Sequence, residues 1–387
     1  MRIPMKKCIV LLIVLSMIFS FGACSLRRCN HIYQNATCEA PQTCVVCGKT
    51  EGEAGEHDFA PSTCTQASTC KHCGKEEGEP VGHIFKKGKC VVCQEKQVGY
   101  DPEKDEELDT SKAFFQEKPS EDGVLRILAI GNSYSLYYMD ELYSMLTAAG
   151  VKATLTHAYY GSCRLDQHWE FLNNGSPEYT FYTYTESGIE TREKLSLEDG
   201  LKLENWDIIT LQQFYTLQNR TKLDEATASM EPYTGHLVGY LNEKFPYANQ
   251  MWHQTWAFQV SYTGTDAAQM ADAVARQTLN YEVVLSTAKY VCDKYDLQRI
   301  PAGDAWQLAR ADARIGDTLC AFANRNDDGS HDGDIGGGQY LNACVWFESV
   351  TGQSCVGNTF RPDYELSEEK VVALQELAHQ SIANMAN

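Results

Sequence analysis

Three histidines, His31, His57 and His83, recur at intervals of 26 residues, and the cysteines between them recur in the same phase. Between the first pair stand Cys38, then Cys44-Val45-Val46-Cys47-Gly48. Between the second pair stand Cys64, then Cys70-Lys71-His72-Cys73-Gly74, and a truncated third copy keeps Cys90-Val91-Val92-Cys93. A unit of this length with almost no large apolar residues cannot bury a core, so covalent or coordinative bonds must hold it. Each full unit supplies C-x5-C-x2-C and a histidine ten residues on, enough for a tetrahedral Cys3His site within one unit. That reading groups Cys38, Cys44, Cys47 and His57 in one site and Cys64, Cys70, Cys73 and His83 in another, with structural zinc as the natural ion. Disulfide pairing is the rival, and three cysteines per unit count against it because one thiol is left over. Reduced thiols in a loosely ordered segment are the third reading.

Eleven of the 16 cysteines lie before residue 94, so the chain divides into two parts of different chemistry. Ahead of the repeats, Arg2, Lys6 and Lys7 precede an apolar run from Cys8 to Phe21, too short to span a bilayer comfortably. The run ends in Phe21-Gly22-Ala23-Cys24, which resembles a bacterial lipobox. It implies cleavage after residue 23, lipidation of Cys24, and export to the outer side of the bacterial cell membrane on a durable anchor. Loss of the three leader cations takes the formal charge from −19 to about −22. A surface of that sign repels phosphate backbones and disfavours nucleic acid as a partner. The repeats resemble Cys/His repeats of bacterial surface proteins, a likeness that implies a spacer or docking role for a partner the residues do not identify. The expected layout is a leader over 1–23, repeats over 24–98, an acidic linker over 99–122 with nine acids against three lysines, and a larger domain over 123–387.

From Val124 the pattern alternates between apolar β-rich runs and helical spacing. Strands are expected at Val124 to Ile130, Val151 to Ala158, Asp207 to Leu211, Gln250 to Phe258 and Leu297 to Ile300. Helices are expected from Tyr138 to Ala149, Asp224 to Glu243, Asp266 to Tyr295, Gln339 to Val350 and Ser367 to Ala386. A Tyr/Thr-rich hairpin is expected within 176–195. Such alternation predicts an α/β, three-layer sandwich with a mainly parallel sheet.

The first strand runs into Gly131-Asn132-Ser133-Tyr134-Ser135, and the carboxyl end of a strand is where a parallel sheet presents a nucleophile. Taken alone, such a turn commonly just caps the next helix. Far downstream, Asp328 and His331 have D-x-x-H spacing, which puts both side chains on one side of a tight turn. Asp328 then accepts a proton from one imidazole nitrogen and leaves the other as a base toward a serine. A calcium loop competes for this acidic stretch, but alignment on Gly329 or Gly333 leaves Ile335 or Gln339 where a bidentate Glu is required. His157, His168, Trp252, His253 and Trp256 are read as core residues first.

Together the two blocks resemble the SGNH (GDSL-like) serine hydrolase superfamily over about residues 123 to 387, an SGNH/flavodoxin-like fold. The resemblance implies Ser133 as nucleophile, His331 as general base and Asp328 as the residue that orients it, without a catalytic cofactor. It further implies Gly161, or Ser162 one residue on, as an amide donor to the oxyanion. The superfamily's Gly-x-Asn-Asp block is missing, and the strand Trp206 to Leu211 ends instead in Gln212-Gln213. Alternation from Ile209 and Leu211 selects Gln213 as the replacement donor. The resulting expectation is a surface-anchored esterase that removes small acyl groups, acetyl foremost, from carbohydrate. The rivals are a non-catalytic glycan-binding lipoprotein that keeps the fold and a calcium-dependent adhesion module.

Overall fold

The computed structural model describes residues 29–86, 88–90, 92–98, 110–258, 260, 266–319, 335–362 and 366–385. The chain divides into two compact units between Val81 and Gly82.

In the first unit each full repeat is a three-stranded antiparallel sheet of very short strands, Tyr33–Gln34, Gln42–Cys44 and Thr50–Glu51, then Phe59–Ala60, Ser68–Cys70 and Glu76–Glu77. Gly48 and Gly74 follow the C-x2-C pairs at φ of +76° and +75°, a left-handed conformation in which glycine meets no Cβ penalty. Their N–H groups donate to the Cys44 and Cys70 carbonyls.

The second unit is built on a seven-stranded sheet with β1 Val124–Gly131, β2 Lys152–Tyr159, β3 Tyr179–Thr185, β4 Gly188–Leu195, β5 Ile208–Leu211, β6 Asn249–His253 and β7 Gln298–Ile300. The spatial order is β4-β3-β2-β1-β5-β6-β7. β2, β1, β5, β6 and β7 run parallel, whereas β3 and β4 form an antiparallel hairpin at one edge. Each expected strand is found within a few residues, except that the one expected from Gln250 to Phe258 leaves the sheet after His253. β1 is apolar from Ile127 to Ile130 because helices cover both faces there, while Arg126 near its start pairs with Asp122 and Glu204. Its residues take alternate sides: Ile127 and Ala129 enter one core, Leu128 and Ile130 the other. The outward β4 is almost wholly exposed and carries Glu190, Arg192, Glu193 and Lys194, charges that blunt an open edge.

Ten helices are described: α1 Ser133–Leu136, α2 Met139–Ala148, α3 Leu165–Asn174, α4 Leu197–Leu201, α5 Leu223–Met230, α6 Tyr233–Lys244, α7 Ala267–Tyr295, α8 Ala302–Ala311, α9 Ile335–Thr351 and α10 Glu368–Ala383. α2, α8, α9 and α10 bury their apolar faces in the first core. α3, α4, α6 and the last turns of α7 bury theirs in the second. The result is the expected three-layer α/β sandwich. The single helix expected over Asp224 to Glu243 is two, because Pro232 has no N–H to continue the ladder and starts α6 instead. α3 and α8 were not anticipated from sequence.

Residues 110–122, expected in the linker, lie on the second unit. The Phe114 N–H donates to the Lys244 carbonyl at 3.0 Å, Phe114 and Phe115 pack on Phe245, and the Asn205 Nδ2 donates to the Glu117 carbonyl. The truncated third repeat belongs to this unit too, with Ile84 and Val92 packed against its core. The repeat region expected to end at Val98 is therefore divided at Val81.

Candidate functional site

Strand order reverses at β1: the chain leaves it toward β2 on one side and later returns to β5 on the other. A crevice opens at such a point beyond the carboxyl ends of the strands. Ser133 stands there as the first residue of α1 and is half-buried. Its position follows from Asn132, which caps α1 by accepting from the Tyr134 N–H at 3.0 Å. The helix-capping reading and the nucleophile reading of this turn thus describe the same geometry.

Asn132 is fully buried and holds more than the helix. Its Nδ2 donates to the Cys163 carbonyl at 2.9 Å, which ties the turn to the segment carrying Gly161. That segment is a tight turn closed by the Cys163 N–H donating to the Tyr160 carbonyl, with Ser162 at φ +55°. Gly161 and Ser162 are both exposed on it. Gln212 Nε2 donates to the Asn132 Oδ1 at 2.7 Å, His253 Nδ1 donates to Gln212 Oε1 at 2.8 Å, and the Tyr138 hydroxyl reaches His253 Nε2 at 3.4 Å. This buried chain links β5, β6 and α2 to the residue before Ser133. Space for it depends on Gly131, where a Cβ would stand 2.6 Å from Ser135 Oγ and 2.7 Å from Gln212 Cδ.

Gln213, expected to face the oxyanion, turns elsewhere. Its Oε1 accepts from the Leu165 and Phe214 N–H groups at 3.3 and 3.0 Å, and its Nε2 donates to Ser229 Oγ at 3.4 Å. It therefore positions the start of α3. Strand alternation does not reach it, because β5 ends at Leu211 and both glutamines are buried. The residue that sequence reasoning passed over is Gln212. His253 carried a signal, its place at a strand end, but its role depends on contacts across 41 and 115 residues of sequence.

Burial holds His253, His157 and His168 neutral, with pKa values pushed down to about 3. His157 Nε2 lies 3.0 Å from Ser135 Oγ, and His168 Nδ1 is hydrogen-bonded with the Tyr179 hydroxyl at 2.7 Å. His379 is engaged with Glu348 at 2.7 Å. Asp328 and His331, and Cys24 at the other end, lie outside the described residues. The helix that follows His331, α9, brings Trp346 edge-on to His253 at 5.1 Å. A pocket of about 230 Å³ lined by Arg220, Phe258, Arg276, Gln277 and Asn280 lies nearby, with the Phe258 ring 6.4 Å from that of Tyr134.

Replacing Gln212 by Leu strips Asn132 of a donor and His253 of an acceptor inside the core. The Asn132 Oδ1 keeps the Tyr134 N–H, so the orphaned group is the His253 Nδ1–H, and a loss of about 1–3 kcal/mol is expected in denaturant unfolding. A change under about 0.5 kcal/mol would mean the chain of bonds is not stabilising.

The repeats present a second set of chemically capable residues. The ligand groups expected within one repeat unit do not assemble as expected. Cys44 and Cys47 meet Cys29 and His31, and Cys70 and Cys73 meet Cys38 and His57; in each set the four ligand atoms lie within 4.8 Å of one another. The reason is strand register. Tyr33 pairs with Cys44, and Phe59 with Cys70, so each C-x2-C pair faces the histidine sixteen residues before it rather than the one ten residues after. Cys64 joins neither set. His83 lies with Cys93 in the second unit, at 3.4 Å. Either set could hold a metal ion.

The family described as domain of unknown function (DUF4886) matches residues 126–381. A crystal structure of a DUF4886 family protein from Bacteroides uniformis is similar at 27% identity and a TM-score of 0.56, covering 68% of this chain and 96% of that one. Two further solved structures align at lower scores. A protein described as a candidate SGNH hydrolase from Slackia heliotrinireducens has 17% identity, TM-score 0.35 and coverage of 58% and 98%. An acetyl xylan esterase, AlAXEase, has 12% identity, TM-score 0.32 and coverage of 57% and 98%. No curated protein matches the chain.

Proposed function

The chain belongs to the DUF4886 family, and from that premise we propose that it is a serine esterase, anchored outside the cell through Cys24, that removes small acyl groups, acetyl foremost, from carbohydrate. The observation that carries the proposal is Ser133, set at the mouth of the sheet's switch point on a turn that Asn132 fixes from below. The Ser133 hydroxyl attacks the ester carbonyl while His331, oriented by Asp328, takes its proton. The Ser133 and Gly161 N–H groups receive the developing oxyanion. The protonated His331 then gives that proton to the departing sugar oxygen, which leaves as a hydroxyl, and water, deprotonated by His331, hydrolyses the acyl-serine in the second half of the reaction. A hydroxyl is a poor nucleophile without a base, and the inner histidines do not supply one. His157, His168 and His253 are buried, neutral and bonded inward. The acidic surface favours an uncharged acylated glycan over an anionic substrate.

A serine-directed fluorophosphonate tests the chemistry. Stoichiometric labelling confined to Ser133 in peptide mass mapping is expected, and labelling of another residue or of none overturns the assignment. The anchor is tested separately. Among the described residues no helix is long and apolar enough to cross a membrane. Cys24→Ala is therefore expected to move the protein from the membrane to the soluble fraction with esterase activity unchanged. Continued membrane association of that variant removes the lipid anchor from the proposal.

A further inference from the structure

Of the two ligand sets of the first unit, one interlocks the repeats. The first draws His31, Cys44 and Cys47 from the first repeat and Cys29 from just before it, whereas the second joins His57, Cys70 and Cys73 of the second repeat to Cys38 of the first. Cys38 and Cys70 are 32 residues apart, with their sulfurs at 3.8 Å; the sulfurs of Cys29 and Cys44 are at 4.0 Å. A disulfide requires about 2.05 Å. A tetrahedral zinc ion with bonds of about 2.3 Å to sulfur and 2.0–2.1 Å to nitrogen requires edges of about 3.8 Å between sulfurs and about 3.6 Å from sulfur to nitrogen. The sulfur-to-imidazole distances are 3.3 Å for Cys47 and His31 and 3.4 Å for Cys73 and His57. Both sets thus match an ion's coordination shell and not a covalent bridge.

We propose that residues 29–81 hold two zinc ions in Cys3His shells, and that the second ion is a staple between repeats, completed by Cys38. Three thiolates and one imidazole in tetrahedral array are a ligand set for zinc, and each ion bound displaces the ligand thiol protons to solvent. Three apolar residues of the first repeat, Ile32, Val45 and Val46, are each more than 60% exposed and so are not used to join the repeats. Coordination by Cys38 joins them. The device turns a row of small units into a spacer of set geometry whose stiffness depends on bound metal, apart from any chemistry at Ser133.

The test uses the full-length protein, purified under reducing conditions and loaded with zinc. Elemental analysis is expected to return at least two equivalents. Cys38→Ser is expected to remove one of them. Alkylation with N-ethylmaleimide followed by peptide mass mapping should then label Cys70 and Cys73 while Cys29, Cys44 and Cys47 stay protected. The reciprocal variant Cys29→Ser should expose Cys44 and Cys47 and leave Cys70 and Cys73 protected. Labelling of Cys44 and Cys47 in Cys38→Ser assigns that residue to its own repeat and overturns the staple. Zinc below half an equivalent, or mass-detected disulfides among these residues, overturns the metal sites altogether. Cobalt substitution gives an independent reading: tetrahedral thiolate absorption bands should fall by one bound equivalent's share in each variant if the two sites are the ones described.

Discussion

Ser133→Ala is expected to lower kcat for an acetyl ester by at least about 10⁴-fold, because no other group can form the acyl intermediate. His331→Ala should approach the same loss, since the hydroxyl needs a base to become nucleophilic. Asp328→Asn should cost a comparable amount or less, by favouring the wrong tautomer of His331. The three act as a unit, so a Ser133→Ala, His331→Ala double variant should be scarcely slower than Ser133→Ala alone. Steady-state rates on a chromogenic acetate, with circular dichroism as the folding control, decide the matter. A folded Ser133→Ala variant with full activity would refute Ser133 as the nucleophile, whereas a folded wild-type protein with no activity would leave a glycan-binding lipoprotein in its place.

The second large effect is an acid limit on stability. His157, His168 and His253 are held neutral in the fold at pKa values of about 3, against an ordinary value of about 6.5. The unfolded chain takes up protons on these groups below pH ~6.5 and the native protein does not. Their contribution is therefore complete above that pH and drains away as pH falls toward 3. Each group costs about 1.4 kcal/mol per pH unit inside that window, about 4 kcal/mol per unit for three. Domains are stable by about 5–15 kcal/mol, so unfolding is expected by pH ~4–5. Thermal melts from pH 8 to 4 should be level above pH ~7 and fall steeply below pH ~6.5. A melting temperature unchanged down to pH 5 would show that these imidazoles are not buried as described. Activity should be lost on the same descending limb as the domain unfolds.

Much of the architecture was legible in the chain because its causes are local. A strand covered on both faces must be apolar where it is covered, and Ile127 to Ile130 reads that way. Periodicity located α2, α7, α9 and α10, and the Tyr/Thr pattern located the β3–β4 hairpin. Ser133 was legible for the same reason, since strand, turn and helix start adjoin within three residues. α3 was not, because its buried positions, Leu165, His168 and Leu172, are outnumbered by polar residues in the same window. The packing of Phe114 and Phe115 onto Phe245 was hidden by the acids that surround them.

Tertiary structure alone decided which amides and which cysteines meet. The choice between Gln212 and Gln213 turned on where β5 stops and on His253, a residue that sequence distance keeps out of any local window. The grouping of the repeat cysteines turned on strand register, which brings a C-x2-C pair to the histidine before it and carries Cys38 across to the next repeat. By itself the sequence determined the residue types available, their repeat, the periodicities that set the sheet and helices, and the turn that presents Ser133, all properties of neighbours along the chain. Only the folded chain could select partners among chemically equivalent groups, because hydrogen bonds and metal shells form by distance in space, and residues 32, 41 or 80 positions apart have no relation until the sheets pair.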